Sequence, residues 1–335
     1  MTINEIAKAC GVSSATVSRA LSGNAYVKPE TYKRIMECAE ALGYEYSSQK
    51  NKQNLKIMLI VGDISNYFYI GIIKGIGSLL NSKGYKVAIF NSNYDHAQEE
   101  EYVRFAYSDN FSGIIMITAM ETVALIKLLK KNTCPVVLVN RYIRSMDLNA
   151  VCIDNHRGGY LATTYLIDKG HKKIAHLAGP RNSTASQDRL IGFQHAMNDS
   201  ELSVAKDAIY YGDLMRDSGC RFAEYYLKKL RDYTAVFFAN DISAVGFLEC
   251  VLQHGIRVPD DLSIICFDDA TATIGGAIKL TTVSRDPNSM GIAAAELMVD
   301  TLANKDSQPR KLVFPPVLNE RDSVKTIIQP VPKDK

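Results

Sequence analysis

Seven cysteines, six histidines and a Gly75-Ile76-Gly77 run are where this chain would most readily build chemistry. Thiolate metal sites and redox motifs need cysteines at C-x-x-C-like spacing. Cys10, Cys38, Cys134, Cys152, Cys220, Cys250 and Cys266 contain no such pair. An odd, scattered set predicts reduced, mostly structural thiols, as in a cytoplasmic protein. His156, His171 and His176 stand apart from one another in the sequence and read as structural or solvated, so no metal is expected. The glycine run lacks the third glycine of a dinucleotide fingerprint and falls inside a predicted helix, not at a strand-to-helix turn. No P-loop and no G-x-S-x-G elbow is present. These residues predict a protein that binds and does not catalyse, with no cofactor.

Binding residues need elements to hold them. A length of 335 residues suits two or three domains, and 47% apolar residues can bury a core without disulfides. The N-terminus lacks a signal-peptide layout, and no apolar run has the length of a membrane span, so no membrane association is expected. Net charge is only +3, so nucleic-acid binding would have to come from local placement. Residues 1–54 carry seven Lys/Arg against five Glu, a weak electrostatic signal.

The first 44 residues predict helices without strands. Thr2-Ile3-Asn4-Glu5 reads as a capping box, after which Ile3, Ile6, Ala7 and Cys10 share one face. Gly11 ends that helix, and Ser13 can cap the next, in which Val17 and Leu21 face inward. Pro29 opens a third helix with Ile35, Ala39 and Leu42 buried and Gly43 closing it. Residues 45–54 are polar without periodicity and read as a linker. Beyond them, nine strand-length apolar runs lie between Lys56 and Phe267, most of them separated by amphipathic helical stretches. That alternation predicts a largely parallel α/β architecture in two lobes, with a ligand crevice at the strands' carboxyl ends.

The run EIAKACGVSSATVSRALSG, followed by VKPETYKRIMECAEALGY, resembles the headpiece of the LacI/GalR repressors through Ala7, Gly11, Val12, Ser13, Thr16, Val17, Ser18, Arg19 and Leu21. The resemblance implies a second helix in the major groove of operator DNA. Carried over by position, Ser14, Ala15 and Arg19 are the base readers, and Thr16 and Ser18 are phosphate anchors. Arg19 can bond guanine O6 and N7 bidentately, and Ala15 can pack on a thymine methyl. The family's hinge has a proline, an arginine and a wedge leucine where this chain has Tyr46, Asn51 and Gln53. Gln53 can still hydrogen-bond in the minor groove but unstacks bases less well, and Leu55 is the alternative wedge.

The resemblance continues through landmarks such as DISNYFY (63–69), RLIGF (189–193), ANDISAVG (239–246) and VPDDLSIICFDD (258–269). It implies a two-lobed core like that of periplasmic binding proteins: headpiece 1–44, hinge 45–54 and core 55–335. Lobe one would hold 55–154 and 284–312, and lobe two 155–283 and 313–335. It also implies a homodimer on near-palindromic operator DNA. Carried over by position, Asn66, Phe68, Tyr69, Asn140, Arg141, Arg189, Asn240, Asp268 and Arg285 are the candidates for binding a sugar-like effector. Asp241 reads as a helix cap and Asp269 as structural. Asn140 stands where the family commonly has Asp, and Arg285 where it commonly has Gln. With both in the pocket an acidic or phosphorylated sugar would be favoured. With Arg285 paired to Asp268 or Asp286, the pocket suits a neutral sugar. A phosphorylated carrier protein is the alternative input.

Overall fold

The computed structural model describes residues 2–22, 27–42, 44, 55–131, 134–269, 278–304 and 306–327. It divides into two compact units, residues 1–55 and residues 56–335. In the first, α1 (Ile3–Cys10), α2 (Ser14–Ser22) and α3 (Pro29–Ala41) follow the local signals. Glu5 accepts the Thr2 N–H at 2.7 Å, and Gly11 ends α1 in the left-handed region at φ 62°. Ser13 Oγ accepts the Thr16 N–H at 3.2 Å, and Pro29 occupies the first turn of α3. Ile6, Val17 and Ile35 are wholly buried, one from each helix, with Ala7, Ala20 and Ala39 letting the helices close around them. Each large side chain contributes roughly 1.5–3 kcal/mol by its burial. Gly43 lies outside the described residues, as does the hinge stretch containing Tyr46, Asn51 and Gln53.

The second unit holds two six-stranded sheets. In chain order the first is begun by β1 (Lys56–Val61), α4 (Tyr67–Ser82), β2 (Lys86–Asn91), α5 (His96–Ser108), β3 (Gly113–Met116), α6 (Val123–Leu129), β4 (Val136–Val139) and β5 (Asn149–Ile153). The chain then crosses to the second, through α7 (Asn155–Asp168), β6 (Ile174–Ala178), α8 (Thr184–Asp199), β7 (Ile209–Tyr211), α9 (Arg216–Lys229), β8 (Ala235–Phe238), α10 (Asp241–Gln253), β9 (Ser263–Phe267) and β10 (Thr281–Ser284). It returns to the first with α11 (Pro287–Ala303) and β11 (Lys311–Phe314), and crosses once more to β12 (Val317–Asn319). The orders are β11-β5-β4-β3-β1-β2 and β12-β10-β9-β8-β6-β7, parallel except for the β10–β12 pair.

All nine apolar runs form strands, and β10, β11 and β12 are additional. These three are only three or four residues long, too short for their apolar residues to stand out as a run. In β10, Thr281 and Thr282 are wholly buried, and their hydroxyls are used: Thr281 accepts the Arg321 N–H at 3.0 Å. The Gly75-Ile76-Gly77 run lies inside α4. A Cβ on Gly75 would stand 2.3 Å from the Asn288 carbonyl oxygen, so the absent side chain lets α4 touch α11 backbone to backbone. No described helix is long and apolar enough to cross a membrane.

His176 on β6 is a buried imidazole stacked on Phe237 and Phe193, with ring centroids 4.6 Å and 5.1 Å away. Its Nδ1–H donates to the Phe237 carbonyl at 2.9 Å. Burial holds its pKa down to about 4. The unfolded chain therefore takes up this proton first, near pH 6.5, and stability is lost as pH falls from there to about 4. We expect this one group to remove roughly 3 kcal/mol over that window. The slope of unfolding free energy between pH 7 and pH 4.5 should be shallower in His176→Phe; an identical slope would exclude His176 as its source.

Candidate functional site

On α2 the side chains divide cleanly. Val17 and Ala20 are buried against α1 and α3, and Ser14, Ala15, Ser18 and Arg19 are exposed on the opposite side. Positions i, i+1, i+4 and i+5 form one stripe of a helix, so the fold presents four of the five expected DNA-contact residues of this helix together. Thr16 sits half-buried at the margin, its hydroxyl 2.8 Å from that of Ser13. Ser14 Oγ donates to Asn4 Oδ1 at 2.7 Å, which ties the first turn of α2 to α1. The sixth candidate, Gln53, lies outside the described residues.

A second site forms between the two sheets, beyond the carboxyl ends of their strands. Asn66, Tyr69, Asn140, Arg141, Arg189, Asn240 and Asp268 line one cleft there. Arg189 is its centre. Only 3% exposed, it lies flat on the Phe267 ring with its guanidinium carbon 3.6 Å from the centroid. Its Nε donates to Asn155 Oδ1 at 2.8 Å, its Nη1 donates to the Ala239 carbonyl, and its Nη2 stands 3.7 Å from Asp268 Oδ1. Burial pushes the Asp268 carboxyl above the usual carboxylate range, and the Arg189 charge opposes that rise.

Two asparagines in the cleft also cap helices. Asn66 Oδ1 accepts the Phe68 N–H at 3.0 Å, and Asn240 Oδ1 accepts the Ser243 N–H at 3.3 Å. The sequence assigned the second cap to Asp241. Asn240 takes it because its backbone is extended, at φ −151° and ψ 167°, whereas Asp241 is already the first helical residue. Behind Arg141, Glu99 is wholly buried and accepts from the Thr118 hydroxyl at 2.9 Å and the Met120 N–H at 3.1 Å. Burial raises its pKa, against those two bonds and the Arg141 charge.

The sequence reading missed Tyr94, Ser183, Ala185, Ser186 and Leu214, which complete the lining. Tyr94 and Tyr69 bring their hydroxyls to 3.5 Å, and burial pushes both phenols up. Tyr94, Asn140, Leu214 and Asp268 all have positive φ, between 58° and 69°. Such backbone costs of order 1–3 kcal/mol per residue and concentrates at ligand sites. No local signal marks these residues apart from Asn140 and Asp268 ending strands.

Outside the cleft, Tyr142 Oη donates to Asp188 Oδ2 at 2.9 Å, and Arg144 reaches the other oxygen at 3.2 Å. Thr184 Oγ1 donates to the Tyr142 carbonyl at 3.0 Å. These bonds latch the first lobe to α8 of the second. The cleft so closed measures about 20 Å³, room for roughly one water.

Phe68 and Arg285 are not brought into this cleft. Both line a separate cavity of about 370 Å³, bounded also by Asp269, Asp286 and Asn319. The Asp286 carboxylate caps α11 through the Asn288 and Ser289 N–H groups at 3.2 Å and 2.9 Å, which holds Arg285 on the crossover. The Arg285 guanidinium stands 5.3 Å from the Phe314 ring centroid. Asp269 is bidentate with Arg321 at 2.6 Å and 2.7 Å, a structural pair.

Residues 2–47 match the bacterial regulatory proteins of the lacI family, and residues 163–324 match the periplasmic binding protein-like domain. The chain is 30% identical to the HTH-type transcriptional repressor PurR of Vibrio cholerae, over 97% of this chain and 98% of that protein. The chain belongs to the lacI family of bacterial regulatory proteins. Catabolite control protein A of Priestia megaterium is also 30% identical, over 97% of this chain and 99% of its own. The solved structure of the transcriptional regulator CelR–cellobiose complex superposes with a TM-score of 0.74 at 28% identity, covering 96% of this chain and 99% of that one. As a lacI-family member the protein is a DNA-binding transcriptional repressor with a periplasmic-binding-protein-like core.

In such a core, Arg189 should be the side chain whose removal is felt most. Arg189→Met leaves Asn155 and the Ala239 carbonyl without their donor and buried Asp268 without its counter-charge, which should cost about 3–5 kcal/mol of stability. Urea unfolding checks this, and a loss under about 1 kcal/mol would mean that solvent, not Arg189, satisfies those acceptors.

Proposed function

We propose that this repressor acts as a homodimer on near-palindromic operator DNA and is controlled by a small, neutral, polyhydroxylated effector of the sugar class bound in the cleft. One observation carries the effector class. Asn140 Oδ1, Arg141 Nη1 and Asp268 Oδ1 are buried in the cleft and make no hydrogen bond among the described residues. Two acceptors and one donor then converge on one space. Adjacent sugar hydroxyls donate and accept at once, so they match such a set where a purely anionic group does not.

The charges support neutrality. Arg189 lies against Asp268, the Arg141 charge is opposed by that of buried Glu99, and Arg285, which would have favoured an anion, lines the other cavity. The cellobiose complexed with CelR is a neutral sugar and agrees in class. A sugar exceeds the closed cleft, so binding requires the Tyr142–Asp188–Arg144 latch to release and re-form around it. A two-state lobe movement of this kind changes operator affinity by about 1–3 kcal/mol, roughly 5- to 150-fold.

Sequence readout rests on the α2 stripe. Arg19→Ala should remove operator preference and leave weak, salt-sensitive binding, measured by fluorescence anisotropy on operator and scrambled duplexes. Retained preference would take Arg19 out of base readout. For the effector, thermal shifts of the full chain against neutral sugars, sugar acids and sugar phosphates decide the class. Saturation a hundredfold over Kd stabilises by about 2.7 kcal/mol. A shift with neutral sugars, lost in Asp268→Ala, is expected. A shift with acids or phosphates alone would overturn the neutral reading, and none with any of them would favour a protein partner.

A further inference from the structure

We propose that Cys220 and Cys250 form a dithiol that closes reversibly to a disulfide, a modification site that clamps α9 to α10. The two helices touch backbone to backbone. A Cβ on Gly219 would stand 2.0 Å from the Ser243 carbonyl oxygen, and one on Gly246 would stand 2.1 Å from that of Arg216. Cys220 follows Gly219 directly, and Cys250 lies one turn beyond Gly246 on the same face. The Cys220 thiol donates to the Gly246 carbonyl at 3.2 Å, one helical turn before Cys250. A disulfide needs Cα atoms about 4.4–6.8 Å apart, a separation that helices packed this closely can supply. Both thiols are half-buried, so a small oxidant can reach them.

The first unit repeats the arrangement less favourably. Cys10 Sγ reaches the Arg34 carbonyl, one turn before Cys38, at 3.8 Å, but Cys10 is only 5% exposed. Cys134, Cys152 and Cys266 are buried. The Cys220–Cys250 pair should therefore oxidise ahead of the other five cysteines.

Hydrogen peroxide is a sufficient oxidant. The Cys220 sulfur attacks one peroxide oxygen, the O–O bond breaks, and a sulfenic acid and water result. The Cys250 sulfur then attacks the Cys220 sulfur, the S–O bond breaks, and a second water leaves with the Cys250 proton. Two thiols and one peroxide give one disulfide and two waters. The order follows from the surroundings. Burial, the hydrogen bond with Cys220 and the negative charges of Glu249 and Glu224 push the Cys250 thiol up to about 11, which makes it the slower first nucleophile.

The helices so clamped reach the cleft. Leu214 lies two residues before α9 and Asn240 caps α10, and Asn240 Nδ2 donates to the Leu214 carbonyl at 2.8 Å. The disulfide thus fixes two walls of the cleft from behind; this consequence rests on the effector reading, whereas the disulfide itself does not.

The full chain, treated with peroxide, alkylated and digested, should yield a Cys220–Cys250 linked peptide lacking two hydrogens. Its melting midpoint should rise by several degrees and return with dithiothreitol, and amide exchange at 214–216 and 240–243 should slow several-fold. Cys220→Ser should lose all three effects, and Cys250→Ser should leave a sulfenic acid on Cys220 that dimedone traps. The proposal is overturned if both thiols are alkylated in the still-folded oxidised protein, if either is linked to a second copy, or if Cys10 and Cys38 pair first.

Discussion

Arg189 carries a full charge at the junction of three separate stretches of chain. It donates to the first turn of α7 and to the residue after β8, and its charge pairs with the residue after β9. Withdrawing a guanidinium from water costs several kcal/mol unless protein acceptors replace the lost hydration. Those three stretches must therefore end at one point in space. The parallel sheet makes that possible, since β6, β8 and β9 run the same way and finish at one edge. The Phe267 ring under the guanidinium excludes water from one face. The carboxyl edge of the second sheet is thereby tied together by one buried guanidinium.

The first sheet meets that edge with matching geometry. Asn140 leaves β4 in a left-handed turn, as Asp268 leaves β9, so two acceptors are presented from opposing lobes by the same backbone device. Strain of this kind persists only where surrounding packing enforces it. Between the lobes, Tyr142 and Arg144 both bond Asp188, with Arg144 exposed and Tyr142 and Asp188 half-buried.

Charge in the cleft is organised by pairing. Arg189 lies against Asp268, and Arg141 lies near Glu99, which is itself held by two hydrogen bonds. Arg285 lines the neighbouring cavity beside Asp286, which caps α11. A substitution that looks like an electrostatic change in the site is, in three dimensions, a change in a neighbouring cavity.

The sequence by itself determined the three-helix headpiece, because capping residues, a left-handed glycine position and one apolar face per helix are local properties. The family letters and the exposed stripe of α2 were legible for the same reason. It also determined nine strands through their apolar runs, and the family resemblance carried over seven of the cleft residues by position. Tertiary structure alone decided the rest. The crossing strands β10, β11 and β12 exist through pairing with distant strands, not through apolar runs of their own. Tyr94 and Leu214 enter the cleft through positive-φ backbone that their residue types do not announce. The cap of α10 went to Asn240 and not to Asp241, a competition settled by backbone geometry at one residue. Local chemistry specifies elements, whereas convergence of side chains from different elements is a property of their packing.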